Sequence, residues 1–262
     1  MAMTTNSSSA TAVTIRGLRK TYGTKHAVDG LDLEIRTGEI FAILGPNGAG
    51  KSTTVEILEG FRRRDGGQVL VLGEDPGRPS RVWRSRIGVV LQDTGDMGEL
   101  TVAEAISSTG AYFPRRRGTD AVIAAVGLAE KRNARLSTLS GGQRRRVDAG
   151  MAIVGIPELL FLDEPTTGFD PEARREFWDL IRLLNDDGTT VILTTHYMDE
   201  AAALADRISV VIDGRIAALS SPAEMAAGHA TLEDAYLDII AQAREAKAAA
   251  HGHPRPAAAA GR

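Results

Sequence analysis

The chain has 262 residues, 43% of them apolar, a formal net charge of -3 and no cysteine. That length suits one large domain, or one domain with a sizeable insertion. The composition excludes disulfides, thiolate metal sites and cysteine nucleophiles, favours a reducing compartment, and with a pI of about 6.0 offers no global basic field for nucleic acid.

Residues 1–12 are Ser/Thr-rich without an apolar h-region, so they read as a disordered lead and not as a signal peptide. Val13 to Ile35 holds two strand-like runs around the turn-rich Tyr22-Gly23-Thr24. Glu39 to Leu44 is a compact apolar run that predicts a buried strand. A loop, Gly45 to Gly50, and a helix, Lys51 to Glu59, follow, and then short strands at Gln68 to Leu72 and Ile87 to Leu91.

From about Thr94 to Gly150 the spacing turns helical, as in Ala103 to Ile106 and Ala121 to Val126, and predicts a helical insertion. Strand–helix alternation then resumes. It runs through strand Leu159 to Asp163, helix Glu172 to Leu184, strand Thr190 to Thr194, helix Met198 to Ala205 and strand Ile208 to Ile212. That pattern argues for a largely parallel α/β sheet covered by helices. Asp213-Gly214 reads as a hairpin turn. Thr231 to Lys247 reads as a helix and Ala248 to Arg262 as a disordered tail. The longest apolar stretch, Met151 to Leu162, is interrupted at Pro157 and Glu158 and falls short of the ~20 residues needed to cross a bilayer. The expected organisation is a core with a β subdomain at 13–93 and 151–220, a helical subdomain at 94–150, a helical extension at 221–247 and a tail at 248–262.

Gly45-Pro46-Asn47-Gly48-Ala49-Gly50-Lys51-Ser52 matches the phosphate-binding loop in full, between a strand and a helix. Its glycines let backbone amides wrap phosphate oxygens at a helix N-terminus. Lys51 can reach the outer phosphates and the Ser52 hydroxyl can ligate Mg²⁺, with Thr53 completing the run. Leu159 to Glu164 brings two acids to the end of an apolar strand. Asp163 suits a Mg²⁺ partner acting through water, and Glu164 suits polarisation of the attacking water. A second Gly-rich loop, Leu139-Ser140-Gly141-Gly142-Gln143, opens another helix. One nucleotide rarely needs two such cradles from one chain, so this loop points to a nucleotide held by a neighbour.

These motifs, in this order from about Val13 to Ala218, resemble the ATP-binding subunit of ABC transporters. The resemblance implies a P-loop NTPase (RecA-like) α/β core with an antiparallel β subdomain and an inserted α-helical subdomain. In it, Gly45 to Thr53 looks like Walker A, Leu159 to Glu164 like Walker B, and Leu139 to Gln143 like the family signature. Gln92 stands where the Q-loop glutamine is expected, able to touch Mg²⁺ or the lytic water. Gly168-Phe169-Asp170 resembles the D-loop, and His196 the switch histidine that bonds the γ-phosphate. Asp170 also suits a helix cap before Pro171, as His196 suits a helix start. Tyr22 either packs in the core or stacks on adenine.

The implied cofactors are ATP and Mg²⁺. The implied partners are a second ATP-binding subunit, as a homodimer closing over two nucleotides, and a separately encoded integral membrane permease, with no nucleic acid. The implied location is the cytoplasmic face of the cell membrane. His196 to Ala201 and Thr231 to Leu237 resemble the daunorubicin-type drug exporters. The alternative is a soluble ABC ATPase acting on DNA or ribosomes, which usually carries a long coiled-coil insertion or two cassettes. A P-loop kinase would not need Leu139 to Gln143. Asp148 and Gly150 place an acid and a glycine where the signature helix is usually apolar, and Phe169 replaces the usual Leu. Arginine runs at 62–64, 115–117 and 144–146 read as solvated faces.

Overall fold

The computed structural model describes residues 10–90 and 97–251. Two strands open the chain, β1 (Thr11–Tyr22) and β2 (Lys25–Arg36), paired antiparallel around Gly23-Thr24. In β2, Leu31, Leu33 and Ile35 are buried while Asp32 and Glu34 face out, the period-two pattern of a half-buried strand. β3 (Ile40–Leu44) is buried throughout and leads into α1 (Lys51–Leu58). β4 (Gly66–Val71) joins the other edge of β1, giving a small antiparallel sheet in the order β2-β1-β4.

After α2 (Arg81–Arg84) and β5 (Ile87–Val90) come α3 (Val102–Gly110), α4 (Thr119–Ala125) and α5 (Gly141–Ile153). The remainder is β6 (Leu159–Asp163), α6 (Pro171–Asp186), β7 (Thr190–Thr194), α7 (Met198–Leu204), β8 (Arg207–Ile212), β9 (Arg215–Ser220), α8 (Pro222–Ala226) and α9 (Leu232–His251). The main sheet runs β5-β6-β7-β3-β8-β9, parallel except for β9. β8 turns into β9 through Asp213 and Gly214, both at positive φ (50° and 77°), as the tight hairpin turn requires.

Each central strand feeds two cores. Phe41, Ile43, Phe161 and Ile192 pack with Val13, Ile15, Leu31 and Leu33 of the small sheet. Ala42, Leu44, Leu160, Leu162, Val191 and Leu193 face the helices, in a cluster that runs on through Val102, Ile106, Val122 and Val147. The α3–α5 helices therefore share one continuous core with the sheet. Gly150 makes their close approach possible, since a Cβ there would stand 3.1 Å from Ile106 Cδ1 and 3.3 Å from Val122 Cγ1. Asp148 is buried on the same helix, and its negative charge acts on Arg145 one turn back. Helix α5 thus accommodates both departures from an apolar face.

Several elements differ from the sequence reading. β1 starts at Thr11, inside the expected lead. Ala12 is buried and its carbonyl accepts from the Leu72 N–H at 2.7 Å, so strand pairing orders residues that composition marks as polar. α9 continues to His251, four residues past the expected end, because its alanines sustain a helix as readily as a tail. α2 has no counterpart in the sequence reading, since one turn shows no periodicity, whereas α8 falls within the expected helical extension. α2 is capped by Ser80 and buries Trp83, whose Nε1 donates to the Val71 carbonyl at 2.8 Å.

Candidate nucleotide site

The C-terminal ends of β3, β7 and β6 lie side by side, with β7 in the middle. This is where open α/β sheets place ligands. The loop after β3 carries Gly45, Pro46, Asn47, Gly48, Ala49 and Gly50, with Lys51, Ser52 and Thr53 in the first turn of α1. Gly45 (φ 152°) and Gly50 (φ 106°) are fixed by close approach as well as by φ. A Cβ at Gly45 would lie 2.2 Å from the Val211 carbonyl oxygen, and one at Gly50 2.2 Å from that of Ala27. Thr54 Oγ1 donates to the Gly50 carbonyl at 2.8 Å and secures the loop-to-helix join.

Lys51 is buried, and its ammonium donates to the carbonyls of Gly45 (2.7 Å) and Pro46 (3.3 Å). Burial pushes its pKa below the ordinary lysine value, while the negative charges of Glu164 and Asp163 act in the opposite sense. The ammonium and the acid pair therefore share one electrostatic site although β7 separates their strands. Ser52 is exposed on the first turn of α1.

Asp163 ends β6, and Thr194, its register partner on β7, donates a hydroxyl hydrogen bond to its Oδ1. The same residue holds Glu164, whose N–H donates to both the Thr194 carbonyl and Oγ1, each at 3.1 Å. Glu164 sits at φ 46°, a left-handed conformation rare for a non-glycine residue. His196 Nδ1 stands 3.5 Å from Glu164 Oε2, and the His196 ring lies 4.1 Å from that of Tyr197. Lys51, Asp163, Glu164 and His196 thus converge. Gln92 lies outside the described residues.

Ser140, Gly141, Gly142 and Gln143 form the start of α5. The Gln143 N–H donates to Ser140 Oγ at 3.3 Å, and the Ser140 N–H donates to Gln143 Oε1 at 3.1 Å, a reciprocal capping box. This loop lines a cavity of about 730 Å³ with Gly168, Phe169 and Asp170. No residue of the Gly45–Thr53 loop lines that cavity. Asp170 caps α6, its Oδ1 accepting from the Ala173 N–H at 2.8 Å. Phe169 is buried edge-on against Phe177, with ring centroids 5.6 Å apart. Tyr22 ends β1, 41% exposed, with Lys20 Nζ and the Arg62 guanidinium each 5.4 Å from its ring centroid, so it is not a core residue.

Three further residues organise the site and escaped the sequence reading. Thr194 is the first. Arg145 is the second: its guanidinium donates to the carbonyls of Asp163 (2.9 Å), Glu164 (3.4 Å) and Pro165 (3.4 Å). The 144–146 run is therefore not a solvated face, since Arg145 anchors a loop and Arg146 pairs with Glu176. The third is Glu200, fully buried, whose Oε1 accepts from Thr166 Oγ1 (2.8 Å) and Trp178 Nε1 (3.1 Å). It ties the segment after Glu164 to the helix after His196. In sequence Thr194 ends an apolar strand run, Arg145 sits in an arginine run and Glu200 in a polar helix start, so none of the three carries a distinct signal.

A glycine-rich amide cradle with a buried lysine, facing an acid pair across one strand, defines a P-loop ATPase. A family model described as ABC transporter matches residues 28–167. The daunorubicin/doxorubicin resistance ATP-binding protein of Streptomyces peucetius is 44% identical over 225 residues, 84% of this chain and 68% of that protein. The Nod factor export ATP-binding protein I of Rhizobium sp. (strain N33) is 41% identical, over 86% of this chain and 74% of that protein. A solved dimeric bacterial ABC transporter cassette superposes with a TM-score of 0.71 at 25% identity, covering 80% of this chain and 98% of the cassette. An ATP-binding subunit of an ABC transporter superposes with a TM-score of 0.78 at 20% identity, covering 87% and 99%. The chain belongs to the ABC transporter family, as an ATP-binding subunit that hydrolyses ATP.

Proposed function

We propose that this subunit powers export of drugs or other small molecules, as one half of a nucleotide-sandwich dimer attached to a separate membrane permease. The observation that carries the dimer is the division of the phosphate donors. The Gly45–Thr53 loop and the Ser140 loop open on different parts of the chain, the latter into its own cavity with Asp170. Two copies related head to tail would bring Ser140, Gly141, Gly142 and Gln143 of one to the nucleotide held by Lys51 of the other. Asp170 would then meet the opposite phosphate loop. Tyr22 would stack on adenine, and His196 and Gln92 would orient the γ-phosphate and the attacking water.

Mg²⁺ fits the donor set. The Ser52 hydroxyl is a hard oxygen ligand, the Asp163 carboxylate would hold the ion through water, and phosphates and further water would complete the shell, as this ion prefers. When bound it would neutralise phosphate charge. Glu164 polarises the water, and Lys51 and the loop amides stabilise charge on the transferred phosphoryl group.

Mixing a Lys51→Ala chain with a Ser140→Arg chain tests the shared site. Each variant alone should be nearly inactive. Random pairing should restore about a quarter of the wild-type sites, since half the dimers then carry one intact composite site. No recovery from demonstrated heterodimers would overturn the arrangement.

Export is supported by relatives whose names describe drug resistance and Nod factor export. No helix among the described residues is long and apolar enough to cross a membrane. In this reading the permease makes the crossing, and this subunit sits peripherally at the cytoplasmic face. Gentle solubilisation of membranes containing the tagged chain should recover a polytopic membrane protein. Recovery of ribosomes or nucleic acid in its place would favour the soluble alternative.

A further inference from the structure

Tyr22 and Lys25 face each other as the last pair of the β1–β2 hairpin before its turn. The hairpin is seated on the phosphate loop through the backbone. The Gly214 N–H donates to the Ala49 carbonyl at 2.9 Å, the Asp29 N–H donates to the Gly214 carbonyl at 2.9 Å, and the Ala27 carbonyl presses on Gly50. This fixes where Lys25 starts. Its side chain reaches over the tip of the loop, so that a Cβ at Gly48 would stand 3.2 Å from Lys25 Nζ. The two nearby lysines are committed elsewhere: Lys20 pairs with Asp65 at 2.8 Å, and Lys51 donates to the Gly45 carbonyl at 2.7 Å. The Lys25 side chain is exposed and makes no hydrogen bond or ion pair among the described residues.

We infer that Lys25 binds the phosphate chain of the nucleotide, as a second ammonium acting from the solvent side while Lys51 acts from the buried side. This rests on the loop being the nucleotide site. A lysine head is a mobile point charge with three donors, so it can follow a polyphosphate without a preformed partner. Its place across the hairpin from Tyr22 gives that hairpin an aromatic surface for the base and a cation for the phosphates. The ligand class is a nucleoside di- or triphosphate. Because Lys25 is exposed, its attraction is screened by salt.

Calorimetric titration tests this with ADP on the otherwise native chain, and with ATP on a Glu164→Gln background. Lys25→Gln should raise the Kd for both about tenfold at low ionic strength, roughly 1.4 kcal/mol. Lys25→Arg should restore most of the affinity, half-molar salt should remove most of the difference, and the unfolding midpoint should not move. A loss that persists in high salt, or that comes with a lowered midpoint, would show a structural role and overturn the inference. Lys51→Ala separates the two claims. If it weakens binding and Lys25→Gln does not, Lys25 is wrongly assigned and the nucleotide site stands. If neither weakens binding, the site itself is misplaced.

Discussion

Glu164→Gln should bind ATP normally, hydrolyse it about 10²–10⁴-fold more slowly, and accumulate as an ATP-dependent dimer. The substitution keeps shape and volume and removes only the group that can accept a proton. What holds residue 164 in its left-handed conformation is backbone: its N–H is shared between the carbonyl and hydroxyl of Thr194, and its carbonyl is held by Arg145. Glutamine inherits all of these contacts, so the loop should stay in place. Lys51, Asp163 and the amide cradle are untouched, which preserves binding. Single-turnover phosphate release and sizing with and without ATP read the two halves of the result. Undiminished turnover would remove Glu164 from the chemistry.

Glu59→Gln should stabilise the nucleotide-free protein by about 3 kcal/mol at pH 7, with the gain shrinking as the pH falls towards 5. Glu59 follows α1 and is 7% exposed. Burial pushes its carboxyl from 4.5 up to about 8, with the charges of Asp163 and Glu56 adding to the effect. A raised folded-state value means the folded chain holds this proton more tightly than the unfolded chain does. The associated stability is complete below about pH 4.5 and is lost as the pH rises through about 8. At pH 7 about 2.5 units of that interval have been crossed, at about 1.36 kcal/mol each. Glutamine has no proton to lose and should escape the penalty. For a chain of this length the gain corresponds to a melting temperature several degrees higher. Unfolding followed between pH 5 and 8.5 checks it; a difference that does not grow with pH would place Glu59 in a less costly setting than its burial indicates.

The parts of the site legible in the sequence are those whose chemistry depends on spacing along one segment. The Gly45–Ser52 loop and the Ser140–Gln143 cap each work through consecutive amides and one or two side chains, so their pattern survives in one dimension. The ends of β6 and β7 are also legible, because apolar runs stop at Asp163 and at Thr194-Thr195. Thr194, Arg145 and Glu200 were not, since each acquires its role from segments brought together by the pairing of β6 with β7 and by the packing of α5 and α7. Glu200 shows this well. In sequence, Met198-Asp199-Glu200 is a polar helix start; in the fold, Glu200 is fully buried and accepts from Thr166 and Trp178, 34 and 22 positions away. Trp83 and its single-turn helix were hidden for the opposite reason, being too local to show a period.

Arg145 attaches the helix that Ser140 opens to the Asp163–Pro165 segment of its own chain. In a dimer with shared sites, the loop that a subunit presents to its neighbour would be carried on a helix bolted to the acid pair it keeps for itself. The two nucleotide sites would then be coupled in series through the Arg145 side chain and the first turns of its helix. A shift of the Asp163–Pro165 segment at one site would be delivered as a displacement of Ser140 at the other, so each turnover would be felt across the dimer within the length of one helix.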